Sequence, residues 1–334
     1  DWYEAKKQME ASRKEKGRYL IGVGMACGSH GTSMFPFMPD ITGITIKMNE
    51  DGTIVFTTGT SDMGNGSVTT QCMLISEVLG IPLDHIAYIK TDTDAAMSDL
   101  GAYASRGTYT SGHAAVKTAQ IMRDKIAVLA AELLDTTTDN LDFHDDAVWC
   151  VDIHRKFVSM KEIAVHAREK HQEDLSCSYM FHSEAGPMSS GAHFAKVQVD
   201  TVTGGIKVLE YAAVHDVGRV VNPMGITGQL EGGISMGLGY ALCEEMKLDS
   251  TGRNQTSSFK KYHILNVKEM PKLSVDFLDS EEETGPYGAK SIGECAVVPV
   301  APAIANAVSN AVGRQFYKLP IRPEDVLEAL SLVK

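Results

Sequence analysis

The chain of 334 residues has no paired or clustered cysteines. No two of its cysteines lie within four residues of each other. They are Cys27, Cys72, Cys150, Cys177, Cys243 and Cys295. This spacing excludes C-x-x-C zinc or redox pairs and the thiolate clusters that hold iron–sulfur centres. We interpret the six cysteines as mostly buried free thiols of a protein in the reducing cytoplasm.

Positive charge and long apolar runs are scarce as well. With 31 Lys+Arg against 43 Asp+Glu, the net charge is −12, which argues against a protein that follows nucleic-acid phosphates. No apolar run approaches the length of about 18 residues that predicts a membrane span, and the charged N-terminus is unlike a secretory signal. We therefore expect neither nucleic acid nor a membrane as a partner.

Nucleotide-binding glycine motifs are incomplete. Three G-x-G pairs begin the dinucleotide-binding pattern, but Cys27, Thr69 and Leu242 stand where the third glycine belongs. A G-x-x-x-x-G-K-[ST] phosphate loop is also missing. The sequence therefore predicts no flavin, nicotinamide or ATP site of its own.

Hairpins and amphipathic helices alternate along the chain and predict an α+β fold of duplicated hairpin-plus-helix units in two lobes. Alternating residues predict hairpins at 43–57 and 197–209. Apolar residues spaced 4, 3, 4, 3 and 4 apart from Ala115 to Leu133 predict a long helix. The expected divisions are an arm at 1–18, a first lobe at 19–150, a connecting region at 151–190 and a second lobe at 191–334.

Two loops in front of predicted helices are suited to a polar or anionic ligand. Residues 58–70 end a strand in glycines that expose backbone N–H groups, with Ser67 in the first turn of the next helix. Residues 99–112 are small and hydroxyl-rich, with Arg106 as their one cation. The plainer alternatives are a tight turn with a Ser/Thr cap, and a helix entry in which Arg106 pairs with a structural acid.

Glu294 is the candidate general base. It stands between a glycine-rich turn and an apolar stretch, so we expect desolvation to raise the pKa of its carboxyl. The alternative is a helix cap or a buried ion pair, with Lys290 as the obvious mate. Gln229 lies in a glycine-rich segment. Either its amide hydrogen-bonds the polar edge of a ligand ring, or the segment is a helix that packs tightly against a neighbouring element. The histidines at 154, 166, 171, 182, 193 and 215 lack metal-ligand spacing, and we interpret them as surface or satisfied core residues.

Five segments, taken in order, resemble the xanthine dehydrogenase/aldehyde oxidase family of molybdenum hydroxylases. They are residues 62–66, 103–106, 214–223, 229–233 and 288–294. The last one, Gly-Ala-Lys-Ser-Ile-Gly-Glu, is the most specific. The resemblance spans about residues 17–330 and covers the C-terminal part of the family's molybdopterin-binding polypeptide. The chain would then be either a fragment of that polypeptide or one of two separate molybdopterin subunits, and its extent is most similar to the medium molybdopterin subunit of nicotinate dehydrogenases. The Tyr-Ala-Ser-Arg loop is also similar to 4-hydroxybenzoyl-CoA reductase, which leaves the branch open.

The resemblance implies a role for each matching position. Glu294 matches the catalytic glutamate, and Met34 and Phe35 fall where relatives place substrate-pocket residues. The molybdenum itself would be held by the pterin, with no direct protein ligand. The implied cofactor-binding residues are Gly64, Asn65, Gly66, Ser67, Tyr103, Ala104, Ser105, Arg106, Gln229, Lys290, Ser291 and Gly293. Asn65 departs from the usual glutamine, which would make its contact with the pterin water-mediated or lost.

The resemblance also implies cofactors and partners. These are molybdopterin in its cytosine dinucleotide form with molybdenum, a larger molybdopterin subunit, and iron–sulfur clusters and FAD on further subunits. The implied reaction is hydroxylation of an N-heterocyclic aromatic compound, with conversion of nicotinate to 6-hydroxynicotinate favoured. A purine, aldehyde or aromatic-CoA oxidoreductase and a non-catalytic assembly subunit are the alternatives. Met34 and Phe35 replace the aromatic–hydroxyl pair of xanthine-oxidising members, which argues against a purine.

Overall fold

The computed structural model describes residues 2–15, 17–89, 91–153, 155–278 and 280–332, so His154 and the ends of the predicted arm and second lobe lie outside them. The helices are α1 (Trp2–Glu15), α2 (Ser67–Leu79), α3 (Gly112–Leu134), α4 (Met160–His171), α5 (Pro223–Leu242), α6 (Val300–Val312) and α7 (Pro323–Leu332). The strands are β1 (Tyr19–Gly31), β2 (Ile41–Met48), β3 (Ile54–Thr58), β4 (Ile86–Ile89), β5 (Leu141–His144), β6 (Ala147–Cys150), β7 (Phe157–Ser159), β8 (Ser176–His182), β9 (Met188–Asp200), β10 (Ile206–Asp216) and β11 (Lys272–Leu278). The mixture of helices and sheets confirms the α+β class.

The first sheet has the order β4-β3-β2-β8 and contains the predicted hairpin of β2 and β3. Ile46 of β2 pairs with Phe56 of β3, and both side chains are fully buried. Because strand residues alternate between faces, the same face of β2 also buries Ile44. This apolar face forms one core with α2, α3 and α4.

The second sheet has the order β1-β9-β10-β11 and contains the predicted hairpin of β9 and β10. Strand β1 pairs antiparallel with β9 along its whole length, from Tyr19 opposite Asp200 to Gly31 opposite Met188. Helix α6 lies directly on β1, because a Cβ atom at Gly24 would be 2.2 Å from the backbone nitrogen of Ala307. With α5 and α6, this sheet forms the second core.

The structure differs from the expected divisions in two places. Strand β1 was expected in the first lobe but belongs to the second sheet, because its hydrogen-bonding partner is β9. The region 151–190 is not a simple connection, since β8 pairs with β2 and α4 buries Ile163 and Ala167 in the first core. Both pairings join residues that are far apart in sequence, and no local pattern signals them.

Four loops converge where the two cores meet. They precede α2, α3, α5 and α6, and they span residues 59–66, 99–111, 217–222 and 285–299. Within the described residues, one segment, Glu294–Val312, has the length and composition of a membrane-crossing helix. It is 67% buried inside the fold, as is typical of a core helix.

Candidate active site

The four loops and one face of α5 enclose a cavity of about 480 Å³. Among the residues predicted for the site, those that line it are Asn65, Ser67, Ser105, Arg106, Gln229, Lys290, Ser291, Gly293 and Glu294. The others are outside the lining: Gly64, Gly66, Tyr103, Ala104, Met34 and Phe35. The backbone N–H of Met34 donates to Asp40, so the loop carrying Met34 and Phe35 is fixed near the carboxylate of Asp40.

Glu294 is held at the cavity by two hydrogen bonds with Ser105. The Ser105 hydroxyl donates to Oε2 of the Glu294 carboxylate and accepts from the Glu294 backbone N–H, with 3.0 Å between Oγ and N. Gly293 permits this approach, because a Cβ atom there would be 2.7 Å from the Ser105 Oγ. The carboxylate therefore has a fixed position at the cavity, held through its Oε2.

The expectation that desolvation raises the pKa of Glu294 is wrong for this chain. Burial of the half-buried carboxyl does push its pKa upward, but the Ser105 hydroxyl, a backbone N–H and the charge of His30 outweigh it. The net effect is a pKa below the ordinary value for glutamate. The carboxylate is therefore ionised at neutral pH and able to take up a proton. Lys290 takes no part in this, so the alternative of a Glu294–Lys290 ion pair does not apply.

The loop that presents Ser105 has an unusual backbone. Ala104 and Ser105 adopt consecutive left-handed conformations, with φ of 51° and 49°. Such conformations cost energy for residues other than glycine and persist only where the surroundings hold them. The chain then passes through a π-helical turn, Gly107–Ser111, into α3. Strain of this kind is common at functional sites.

Arg106 holds this loop from within. Its guanidinium is almost fully buried and donates to Asp40 at 2.6 Å and to Asp99 at 3.0 and 3.1 Å. The remaining N–H groups donate to the carbonyls of Gly101 and Ile41 and to the Thr42 hydroxyl. All five donors are used within the protein. This corrects the expectation that the Arg106 side chain binds the cofactor, and it confirms the pairing with structural acids.

Lys290 and Ser291 are also fixed by the protein itself. The Lys290 ammonium lies 2.7 Å from Oδ2 of Asp216, at the end of β10. Burial raises the pKa of Asp216, but hydrogen bonds from Lys290, Ser280 and the Gly218 N–H lower it more. The Ser291 hydroxyl accepts from the Tyr109 N–H at 2.7 Å. These bonds attach the segment before Glu294 to both cores.

A buried polar chain lies next to the Glu294 segment. Nε2 of His193 is 2.6 Å from Nε2 of His215, and Nδ1 of His193 is 2.8 Å from the Tyr211 hydroxyl oxygen. Nδ1 of His215 is 3.7 Å from Sγ of Cys295, the residue after Glu294. Burial lowers the pKa of both imidazoles, so both are neutral. Their interpretation as satisfied core residues is confirmed.

The cavity also offers polar groups without a protein partner. The Ser67 hydroxyl lines it and is buried with no hydrogen bond within the described part of the chain. The neighbouring Gln71 amide is 1% exposed and likewise lacks a partner. A Cβ atom at Gly66, Gly228 or Gly232 would meet nothing within 4 Å, so the backbone is open to close approach there. Unpaired buried donors beside open backbone fit a rigid ligand rich in hydrogen-bonding groups.

Two residues at the cavity had not been singled out from the sequence. Arg219 is an exposed cation in the lining, and within the described residues its side chain has no hydrogen bond or ion pair. Asn222 caps α5 by accepting from the Gly225 N–H at 3.0 Å. The available signal was their position directly before a helix in the segment 214–223.

Open glycine loops, unpaired donors and one fixed carboxylate define a protein that holds a large polar organic cofactor between two α+β cores. Residues 1–271 match the family described as the molybdopterin cofactor-binding domain. The chain belongs to this family and is a molybdopterin-binding part of the molybdenum hydroxylases.

Several relatives match nearly the whole chain. The xanthine dehydrogenase molybdenum-binding subunit of Escherichia coli O157:H7 is 31% identical over 335 residues, covering 99% of this chain and 44% of the relative. The nicotine 6-hydroxylase large subunit of Paenarthrobacter nicotinovorans is 27% identical, covering 98% and 42%. The reconstituted CO dehydrogenase from Oligotropha carboxidovorans superimposes with a TM-score of 0.91 at 26% identity, covering 99% and 43%. The chain thus spans less than half the length of these relatives.

Proposed function

We propose that this chain supplies the half of a molybdenum hydroxylase active site that carries the general base. The favoured reaction is hydroxylation of an electron-poor carbon in an N-heterocyclic aromatic acid, nicotinate to 6-hydroxynicotinate. The observation that carries the proposal is the Glu294 carboxylate, which is fixed at the cavity by Ser105. Family membership and the open polar cradle support the same conclusion.

Residues of this chain that would hold molybdopterin are Asn65, Ser67 and Gln229, together with the backbone of the glycine loops. When bound, the cofactor supplies the redox chemistry that adds oxygen from water to the substrate carbon. Arg219 provides positive charge without a protein partner, as the pyrophosphate of a cytosine dinucleotide form requires.

Glu294 acts as the proton acceptor in this proposal. Because Oε2 accepts the Ser105 hydroxyl, the proton is taken up at Oε1. The lowered pKa keeps the carboxylate ionised before the proton arrives. Ser105 and Gly293 keep the acceptor in place, and Arg106 keeps Ser105 in place through Asp40 and Asp99.

Electrons leaving this site need carriers that the chain does not supply. All six cysteines are free and unclustered, so residues 1–334 hold no iron–sulfur centre of their own. We assign partners accordingly: a larger molybdopterin subunit, an iron–sulfur subunit and an FAD subunit, in the cytoplasm. The isolated chain is expected to bind little cofactor and to show no turnover.

A purine is the second candidate substrate, and the relative named as a xanthine dehydrogenase subunit favours it. The relative named as nicotine 6-hydroxylase favours a pyridine ring. Substrate-dependent dye reduction by the purified complex separates the two. Reduction with nicotinate and not with xanthine or hypoxanthine supports the first candidate, and the reverse supports the second.

The role of Glu294 is tested by Glu294→Gln in the assembled complex. Loss of the base should lower turnover by about 10²–10⁴-fold or more, with subunit assembly and molybdenum content unchanged. The matched control is Glu328→Gln, an exposed position on α7 outside the cavity lining. Turnover of the Glu294→Gln complex at the wild-type rate would instead support a non-catalytic assembly subunit.

A further inference from the structure

A second group of converging side chains lies where α3 meets α4. It consists of Glu132 from α3 and of His166 and His171 from α4. Nε2 of His166 and Nε2 of His171 lie 3.2 and 2.8 Å from the same oxygen, Oε2 of Glu132. The three ligand atoms all lie within 4.8 Å of one another. None of the three residues lines the cavity described above.

The backbone that carries these side chains is fixed independently of them. Leu129 and Ala130, just before Glu132, and Ile163 and Ala167, on either side of His166, are buried in the first core. Helix α4 begins with a capping box between Ser159 and Glu162. It ends immediately after His171, where Gln172 is left-handed and closes the helix. The three ligands are therefore brought together by the fold.

We propose that Glu132, His166 and His171 form a binding site for a divalent transition-metal ion of the Zn²⁺ class. Two imidazoles and one carboxylate are ligands that this class of ion prefers. With metal–ligand bonds of about 2.0–2.1 Å, a tetrahedral site separates its ligand atoms by about 3.4 Å. The two histidine Nε2 atoms lie 2.8 and 3.2 Å from Oε2 of Glu132, and small side-chain rotations would bring these distances to the tetrahedral value. Water would complete the coordination.

Spacing along the chain does not reveal this site, because the ligands are not regularly spaced. His166 and His171 are five residues apart, whereas two ligands on one helix face are usually three or four apart. His166 and His171 lie on the last two turns of α4, and the third ligand comes from a different helix. A bound ion would join α3, which follows the Ser105 loop, to α4.

Lys170 is the competitor for the same carboxylate. Its ammonium contacts Oε1 of Glu132, the oxygen not used by the histidines. The lysine side chain is more than half exposed and can swing into solvent. Its positive charge opposes a nearby cation, so removing it should strengthen metal binding.

The test is equilibrium dialysis of the assembled complex against buffered Zn²⁺, with zinc counted per chain by elemental analysis. The wild type should bind one zinc more than His171→Gln, in which the affinity of this site should fall at least about tenfold. Glu132→Gln should behave like His171→Gln, and Lys170→Gln should fill the site at lower free zinc. The matched control is His263→Gln, which breaks a single His–Glu pair at 2.9 Å and should bind as the wild type does.

Hydrogen exchange of the segment 160–171 supplies a second measurement. Zinc should slow exchange there in the wild type and in His263→Gln, but not in His171→Gln. The proposal is overturned if the wild type retains no zinc at about 100 µM free Zn²⁺. It is also overturned if His171→Gln and the wild type bind equally, because the cluster would then be a hydrogen-bonded ion pair only. Neither result depends on turnover, so the molybdenum hydroxylase proposal is unaffected by the outcome.

Discussion

Replacing Ser105 by alanine should move the acidic limb of the pH–rate profile. The Ser105 hydroxyl donates to the Glu294 carboxylate and helps to hold its pKa below the ordinary value. A hydrogen bond to a charged group contributes about 1.5–3 kcal/mol, and the half-exposed position of Glu294 favours the lower end. The Ser105→Ala change should therefore raise the pKa of Glu294, and since 1.36 kcal/mol corresponds to a factor of ten, it should lower kcat/KM at acidic pH by about tenfold.

The sign of the effect follows from the role of the carboxylate as a base. Only ionised Glu294 accepts a proton, so a raised pKa removes active enzyme at acidic pH first. The variant should therefore lose kcat/KM mainly at the acidic end of the pH range and approach a plateau at higher pH. Alanine keeps the Cβ atom, so the left-handed backbone at this position is equally strained in both proteins.

The assay is kcat/KM for the assembled complex across the acidic range. Ser67→Ala is the control, because its hydroxyl lines the same cavity but has no bond to Glu294. Its acidic limb should stay in the wild-type position even if cofactor binding changes. An acidic limb that does not move in Ser105→Ala, or a loss of rate that is equal at every pH, would refute the reasoning.

Two further predictions concern stability. Burial lowers the pKa of His193 to about 3 and that of His215 to about 4, against about 6.5 in the unfolded chain. The two histidines therefore do not destabilise the folded protein above pH 6.5, but they lower its free energy of unfolding as the pH falls below that value. At about pH 5 the pair should lower the free energy of unfolding by about 4 kcal/mol, which is measured as a lower urea midpoint than at neutral pH. This fall in midpoint should be smaller in a His215→Gln variant. An equal fall in both proteins would contradict buried neutral imidazoles. Arg106→Lys leaves the buried carboxylates of Asp40 and Asp99 without their full set of hydrogen bonds. It should lower the free energy of unfolding by about 3–5 kcal/mol, measured by urea unfolding, and reduce the molybdenum content of the complex. The control Arg253→Lys should change neither quantity.

Local patterns predicted the elements of the fold well. The hairpin of β2 and β3 follows from alternation around a turn, and α3 follows from the apolar stripe between Ala115 and Leu133. The partners of β1 and β8 could not be found in this way. Strand β8 joins β2 across more than a hundred residues, and pairing at that distance leaves no mark on either strand's own sequence.

At the site, the sequence predicted which residues gather but not how they are bonded. Glu294 and Ser105 were both named, yet the bond between them, which lowers the pKa of Glu294, depends on the close approach of two loops. Lys290 pairs with Asp216 and not with Glu294, because the end of β10 lies nearer to it in space. Partner choice of this kind is a tertiary property, and short-range spacing does not determine it.

Helix α6 packs on β1, and Glu294 lies just before this helix. The position of the general base therefore depends on contacts that form late in folding. The glycines of β1 accept α6, and the same strand pairs with β9, so β1 depends on two partners that are synthesised much later. Forming contacts between residues so far apart in sequence costs a substantial amount of chain entropy, and this cost slows folding. Nascent chains would therefore carry an unfinished acid–base centre until β1, β9 and α6 have come together.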